Sequence, residues 1–177
     1  LGVGSLLEVK RWDRLTSAAI ALKQKGLDFA IRVVGGGPLH TSLERQVGEN
    51  KVADWVAFIG HSDDIPGKMV EATFLVHVSD NEGSPNVIME AMACGRAVVA
   101  TDVGDVSNLV EDGTTGFVVP SGDDAMLIER MATLITDRNL CCRMGKAGRA
   151  KVEREFGLDR LVRETFAAYR AAGWKDS

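Results

Sequence analysis

Two glutamates with seven residues between them, Glu82 and Glu90, bracket the segment of this chain richest in reactive groups. Asp80, Asn81, Glu82, Gly83, Ser84 and Pro85 follow an apolar run, Phe74 to Val78, and lead into a helical stretch that carries Asn86 and Glu90. Ser84 suits an N-cap and Pro85 the first helical position. The free amides of such a helix start, with the positive end of its dipole, make a ready site for a phosphate, and Gly83 lets the backbone approach it closely. Asn86 and Glu90 share a helix face, about 6 Å apart along the axis. A carboxylate aimed near a sheet needs a partner, because burying an unpaired charge is costly. A pair of sugar hydroxyls would be such a partner; the alternative is a Glu90 that is half exposed or paired with an arginine.

Two other loops compete for attention. Gly35-Gly36-Gly37-Pro38 follows a strand and precedes a helix, but His40 stands where a dinucleotide fingerprint needs its third glycine, and Pro38 removes an amide donor. A tight strand-to-helix turn with Pro38 at the first helical position accounts for it. At the start of the chain, Gly4-Ser5-Leu6-Leu7 closes a strand and Lys10-Arg11 follow in the turn. A lysine there either neutralises a phosphate or is a plain surface charge.

The elements that position these residues read as an α/β alternation. Strands are expected at Leu1 to Leu7, Phe29 to Val34, Trp55 to Ile59, Phe74 to Val78, Ala97 to Thr101 and Phe117 to Val119. Helices fall between them at Trp12 to Lys25, Leu39 to Glu49, Ile65 to Glu71, Asn86 to Cys94 and Val106 to Val110. Short, nearly all-apolar strands separated by helices imply a doubly wound parallel sheet of about six strands, covered on both faces, with ligands beyond the strands' carboxyl ends. After Pro120 only helices follow, at Asp123 to Asp137, Leu140 to Phe156 and Asp159 to Ala172. These either pack on the sheet or form a tail that docks elsewhere, and Phe166, Tyr169 and Trp174 give the last helix an apolar face. Arg143, Lys146, Arg149, Lys151 and Arg154, interleaved with Glu153 and Glu155, read as a solvated helix face, with a membrane-surface patch as the alternative.

Composition bounds the function. The 177 residues are 45% hydrophobic and 26% charged with a net charge of −4, which fits a single globular domain rather than a disordered chain. No window is apolar enough for a membrane span, and the mildly acidic balance argues against nucleic acid as a partner. Cys94 is isolated and Cys141-Cys142 are adjacent, so neither a disulfide framework nor a metal-ligand spacing is present, which suggests a reducing, cytoplasmic setting. The chain opens at Leu1, directly in an expected strand, from which we expect that a further segment precedes it.

With these residues in view, the sequence resembles the C-terminal, nucleotide-sugar-binding domain of retaining glycosyltransferases of the GT-B fold, glycosyltransferase family four, also called group 1. Gly4 to Arg11 is similar to the family's glycine-plus-lysine opening, and Val34 to Leu39 to its second-strand turn. Phe58-Ile59-Gly60 with Asp64-Ile65, Ala97 to Thr101 and Gly113 to Phe117 extend the match. Its most specific part is Glu82 to Gly95, the family's pair of glutamates.

The resemblance implies a Rossmann-like domain over residues 1 to 156, and a C-terminal helix over 157 to 177 that docks on an absent N-terminal, acceptor-binding domain. It implies that Glu82 contacts the donor sugar, that Gly83, Ser84, Pro85, Asn86 and Val87 offer backbone to sugar and phosphate, and that Glu90 holds the ribose. Lys10, with Gly4 and Ser5 beside it, would meet the diphosphate, and Ile59 and Gly60 the base. Glu82 and Lys10 would be the catalytic pair. The family usually has arginine where this chain has Ser5, so one phosphate cation is missing unless Arg11 replaces it. The implied activity is transfer of a sugar from a UDP-, GDP- or ADP-sugar to a glycan, lipid or small molecule, with no cofactor and no required metal, in the cytoplasm or at the inner membrane face. The isolated domain is expected to be inactive. A nucleotide-sugar epimerase or hydrolase and a non-catalytic binding module are the alternatives. Asp80-Asn81-Glu82 is loosely similar to the Asp-x-Asp metal motif of another transferase fold, but the parallel-sheet pattern around it argues against a metal there.

Overall fold

The computed structural model describes residues 1–174. Its strands are β1 (Gly2–Val3), β2 (Ile31–Val34), β3 (Val56–Phe58), β4 (Phe74–His77), β5 (Ala97–Thr101) and β6 (Gly116–Val119). The helices are α1 (Trp12–Gln24), α2 (His40–Glu49), α3 (Ile65–Glu71), α4 (Asn86–Ala93), α5 (Val106–Leu109), α6 (Asp124–Thr136), α7 (Arg138–Glu155) and α8 (Leu158–Ala171), with a 3-10 turn at Glu8–Lys10.

Every ladder is parallel: β2 pairs with β1 and β3, and β5 pairs with β4 and β6. Leu1 joins the two halves. Its carbonyl accepts from the Val76 amide at 2.8 Å and its amine donates to the Phe74 carbonyl at 3.0 Å. The strands therefore run in the order β3-β2-β1-β4-β5-β6, the doubly wound arrangement in which the order of strand addition reverses between β1 and β4 while all strands stay parallel.

Side-chain alternation along the strands explains why the sheet has two cores. Phe74, Val76 and Val99 pack with Leu15 and Leu22 of α1, Leu43 of α2 and Leu127 of α6. Leu75, Val98 and Ala100 point the other way, against Ile88 and Met92 of α4 and Val106 of α5. All five residues of β5 are buried, which is why this strand reads as a continuous apolar run. Each such buried leucine or isoleucine side chain contributes about 1.5–3 kcal/mol relative to an exposed one.

Three expectations need correction. The first strand is two residues long rather than seven, because the chain turns out of the ladder at Gly4, whose φ of 154° favours glycine. Pro38 does not open a helix: α2 begins at His40, and Pro38-Leu39 form a preceding turn pinned by the Leu39 amide on the Leu6 carbonyl at 3.3 Å. Lys151 is not on a solvated face. It is 6% exposed, pairs with Glu111 at 3.1 Å and donates to the Asn108 carbonyl at 3.0 Å, clamping α7 to the α5 loop, while Arg143, Lys146, Arg149 and Arg154 are exposed.

The tail divides accordingly. α6 and α7, each capped by an aspartate (Asp123 to the Met126 amide, Asp137 to the Leu140 amide), bury Leu127, Met131, Leu134, Cys141 and Met144 in the first core. α7 begins two residues earlier than Leu140 because Asp137 caps it. None of the described side chains of α8 is buried, and Val162, Phe166, Tyr169 and Trp174 lie open, the aromatic rings clustered within 6.4 Å of Trp174. Among the described residues no helix is long and apolar enough to cross a membrane.

Candidate functional site

The switch between β1 and β4 sets the site, because the two strands' carboxyl ends diverge there and leave their following loops facing one edge. Gly4, Gly35 and Gly60 line that edge at the ends of β1, β2 and β3. The Gly35 amide donates to the Gly60 carbonyl at 2.8 Å, and a Cβ on Gly35, whose φ is 146°, would sit 1.9 Å from the Gly4 oxygen. Only glycine permits this approach. Ile59 is 41% exposed beside it. The Lys10 side chain passes over Gly4 and ends on Glu82, from the loop after β4.

Glu82 is the hub. Lys10 Nζ donates to its Oε1 at 2.5 Å, Ser79 Oγ at 2.7 Å, and His77 Nε2 lies 3.1 Å from the same oxygen. Oε2 takes none of these contacts. Burial alone would raise the Glu82 carboxyl, but hydrogen bonds from Lys10 and Ser79 outweigh it and hold the group below its ordinary range, as a carboxylate. His77, 3% exposed at the end of β4, is pushed down by burial more than the Glu82 carboxylate lifts it, so it stays neutral. Beside a carboxylate the single proton of a neutral imidazole belongs on Nε2. Nδ1 is buried and, among the described residues, has no hydrogen-bond partner.

The surrounding loop is tightly fixed. Thr101 Oγ1 donates to the Ser79 carbonyl at 2.6 Å, and the Asp105 amide donates to the Gly83 carbonyl at 2.9 Å. Gly104, at φ 56°, lies so close that a Cβ there would meet the Glu82 carbonyl at 2.2 Å. Ser84 does not cap α4. Its hydroxyl turns to Asp105 Oδ2 at 3.3 Å, Pro85 takes the N-cap position, and the helix starts at Asn86 with no side-chain cap. The Asn86 and Val87 amides thus remain donors for a ligand, together with the backbone of Gly83, while the Ile88 amide donates to the Pro85 carbonyl at 3.1 Å.

Arg11 is committed to neighbouring carboxylates. It has a left-handed backbone (φ 51°, ψ 42°), a conformation that costs a non-glycine residue about 1–2 kcal/mol. Its guanidinium grips both oxygens of Asp13 at 3.0 Å and Asp80 Oδ2 at 2.7 Å, and those bonds hold the Asp80 carboxyl below its ordinary range. Buried Arg14 takes the other Asp80 oxygen at 2.8 Å. Lys10 is left as the site's cation opposite Glu82, and Ser5 is exposed, its carbonyl accepting from Trp12 Nε1 at 2.9 Å. Asp80 is committed to arginines, and among the described residues no group of three His, Cys, Asp or Glu side chains is gathered that could hold a metal ion.

Glu90 departs from expectation. The sheet-facing positions of α4 are Ile88, Ala91 and Met92, whereas Asn86 and Glu90 are exposed, and among the described residues the Glu90 carboxylate has no ion pair or hydrogen bond. No buried charge is present there to be compensated; the carboxylate is free for a ligand or for water. The structure thus brings Gly4, Lys10 and Glu82 together, places Gly60 on the same glycine edge through Gly35, and shows no contact between these residues and Glu90 among the described residues. His77, Ser79 and Thr101 are participants that the sequence reading missed. A signal existed for one of them, since His77 is the only titratable residue in the run Phe74 to Val78. Two hollows lie beside these residues, one of about 770 Å³ between the Leu7 to Asp13 turn and α2 that Asp80 also lines, and one of about 410 Å³ at the opposite strand ends, lined by Phe29, Arg32 and Arg138.

Comparison with known proteins places this geometry. The family model described as glycosyl transferases group 1 matches residues 1–137. The alpha-D-kanosaminyltransferase of Streptomyces kanamyceticus is 30% identical over 175 residues, covering 98% of this chain and 45% of that protein. The N-acetyl-alpha-D-glucosaminyl L-malate synthase of Bacillus anthracis is 25% identical over 167 residues, covering 94% and 44%. HepE of Anabaena, solved in complex with UDP, matches with a TM-score of 0.82 at 25% identity, covering 94% of this chain and 48% of that one. The chain spans less than half the length of these relatives. Family match and sheet order agree: the chain belongs to the group 1 family of glycosyl transferases and has the Rossmann-like architecture of one half of a GT-B fold.

Proposed function

We propose that this chain is the donor-binding half of a retaining glycosyltransferase of family four, moving a sugar from a nucleotide sugar to an acceptor held by a second domain. The observation that carries the reading is the meeting of Lys10 and Glu82 at the sheet's switch point, a cation for phosphate beside a carboxylate for sugar hydroxyls. HepE, a relative of the same architecture, has been solved with UDP and with UDP-glucose, which supports a nucleotide-sugar donor here. The diphosphate lies between Lys10 and the uncapped start of α4, the ribose at the unpartnered Glu90, and the base by Ile59 and Gly60.

In the reaction, the bond between the sugar's anomeric carbon and the diphosphate oxygen breaks while the acceptor hydroxyl adds on the same face. Its proton passes to the departing phosphate oxygen. Lys10 and the amides of α4 stabilise the charge that gathers on that phosphate, and neither a metal nor a cofactor is needed for the step. A covalent route with Glu82 as nucleophile, by analogy with the paired carboxylates of retaining glycosidases, ranks lower because Glu90 is assigned to the ribose. Sugar transfer needs a site that excludes water, and in this reading the exposed Phe166, Tyr169 and Trp174 face of α8 docks on an acceptor-binding half of a cytoplasmic protein.

Calorimetric titration with UDP, GDP and ADP tests the reading. One of them binds with a Kd below about 1 mM, and Lys10→Ala and Glu90→Ala each weaken it about tenfold or more. Absence of binding, or binding indifferent to both substitutions, contradicts it.

A further inference from the structure

A carboxylate oxygen has room for about two good hydrogen bonds, yet Glu82 Oε1 receives Lys10, Ser79 and His77. The three donors are not equally fixed. Lys10 is 23% exposed, on a flexible four-carbon stem. Ser79 is 1% exposed and tied through its carbonyl to Thr101, and His77 is 3% exposed within β4. A diphosphate carries more negative charge than one carboxylate and competes for the mobile cation alone. His77 is also costly where it stands: its Nδ1 is buried without a partner, while its neighbours in the strand, Phe74, Leu75 and Val76, are all apolar. Glu82 is the carboxylate it touches, and that contact is what the imidazole provides in place of a packed leucine.

We propose that His77 and Ser79 are positioning residues that keep the Glu82 carboxylate in place when the donor's phosphates draw Lys10 away, leaving Oε2 to accept a sugar hydroxyl. Phosphate binding and sugar recognition are thereby coupled: the Lys10–Glu82 pair closes the empty site, and opening it exposes a carboxylate that is already oriented. The inference rests on the donor reading above and adds to it a residue that holds the sugar-contacting group.

The test is nuclear magnetic resonance of the 177-residue chain with labelled histidine and lysine, titrated with UDP. The expected result is a saturable shift of the Lys10 ammonium while His77 keeps its Nε2–H tautomer and its hydrogen bond to Glu82. In Lys10→Met, without nucleotide, the His77 bond also persists. The affinity ratio of UDP-glucose to UDP then falls about three- to tenfold in His77→Leu, with UDP affinity itself held within about twofold, and His77→Gln, which retains an amide donor, recovers it. Ser79→Ala moves the ratio the same way and serves should His77→Leu not fold. Loss of the His77 bond on UDP binding, an Nδ1–H tautomer, or a ratio unchanged in His77→Leu overturns the inference while leaving the donor reading intact. A chain that binds no UDP, GDP or ADP overturns both.

Discussion

Arg11 and Asp80, 69 positions apart in the chain, meet through a 2.7 Å ion pair that holds the guanidinium on the rim of the site rather than in it. Asp13 grips the same group from the other side. The cation next to Lys10 in sequence is therefore a structural tie between the β1 loop and the β4 loop.

An arginine at position 5 should strengthen the site. Ser5→Arg places a second cation on the glycine edge beside Lys10, and a charge-assisted phosphate contact should tighten nucleoside diphosphate binding about three- to tenfold. Arg11→Ala, by contrast, should leave that affinity within about twofold while lowering the unfolding midpoint. Calorimetry at two salt concentrations checks the first, with the gain of Ser5→Arg shrinking as salt rises.

Gly104→Ala should damage the site from behind. At φ 56° the new Cβ is strained and meets the Glu82 and Gly83 carbonyls at 2.2 and 2.3 Å. We expect a loss of about 1–3 kcal/mol in urea unfolding and a weakened response to nucleotide sugar. A variant of wild-type stability would show that the loop between β4 and α4 is free to move.

Acid should destabilise the fold in two stages. His77 has a folded-state pKa below its ordinary 6.5, so the unfolded chain takes the proton first; stability is complete above about that value and falls as pH drops below it. Glu82, also lowered, from 4.5, adds a second loss at more acidic pH, as the carboxylate that Lys10 and Ser79 stabilise is protonated. His77→Leu should shrink the first stage without abolishing it, because the Leu1 amine, lowered to about 5 by burial, loses stability over the same range. Urea midpoints compared at about pH 5.5 and about pH 7.5 in both proteins give the answer.

The strands and helices were largely legible because each is a short apolar run or a periodic stretch between clear punctuation; Ala97–Thr101 and Ile65–Glu71 fall where the pattern put them. What local pattern could not supply was long-range competition. Ser84 is a good cap by type, yet Asp105, 21 positions on, takes its hydroxyl. Lys151 looks solvated among its charged neighbours until Glu111 and the Asn108 carbonyl are folded against it. Glu82 and Lys10 were legible as site residues through the family resemblance, but not their ion pair across 72 positions. His77 was hidden by the apolar run around it.

The α8 face offers a prediction about the chain alone. Replacing any one of Phe166, Tyr169 and Trp174 with serine should leave the unfolding free energy within about 0.5 kcal/mol, since none of the three is buried. Amide exchange in α8 should be much faster than in β5. Exchange as slow as in β5 would mean that the helix is held by the domain itself rather than by a docking partner.

The most direct measurement is a crystal structure of the chain with bound UDP, or with whichever of GDP and ADP binds. The account predicts a diphosphate between Lys10 Nζ and the first turn of α4, the ribose at Glu90, and Lys10 withdrawn from Glu82. A nucleotide seated instead in the groove between the Leu7 to Asp13 turn and α2, or beside Arg138 at the far end of the sheet, with the Lys10–Glu82 pair intact, would contradict it.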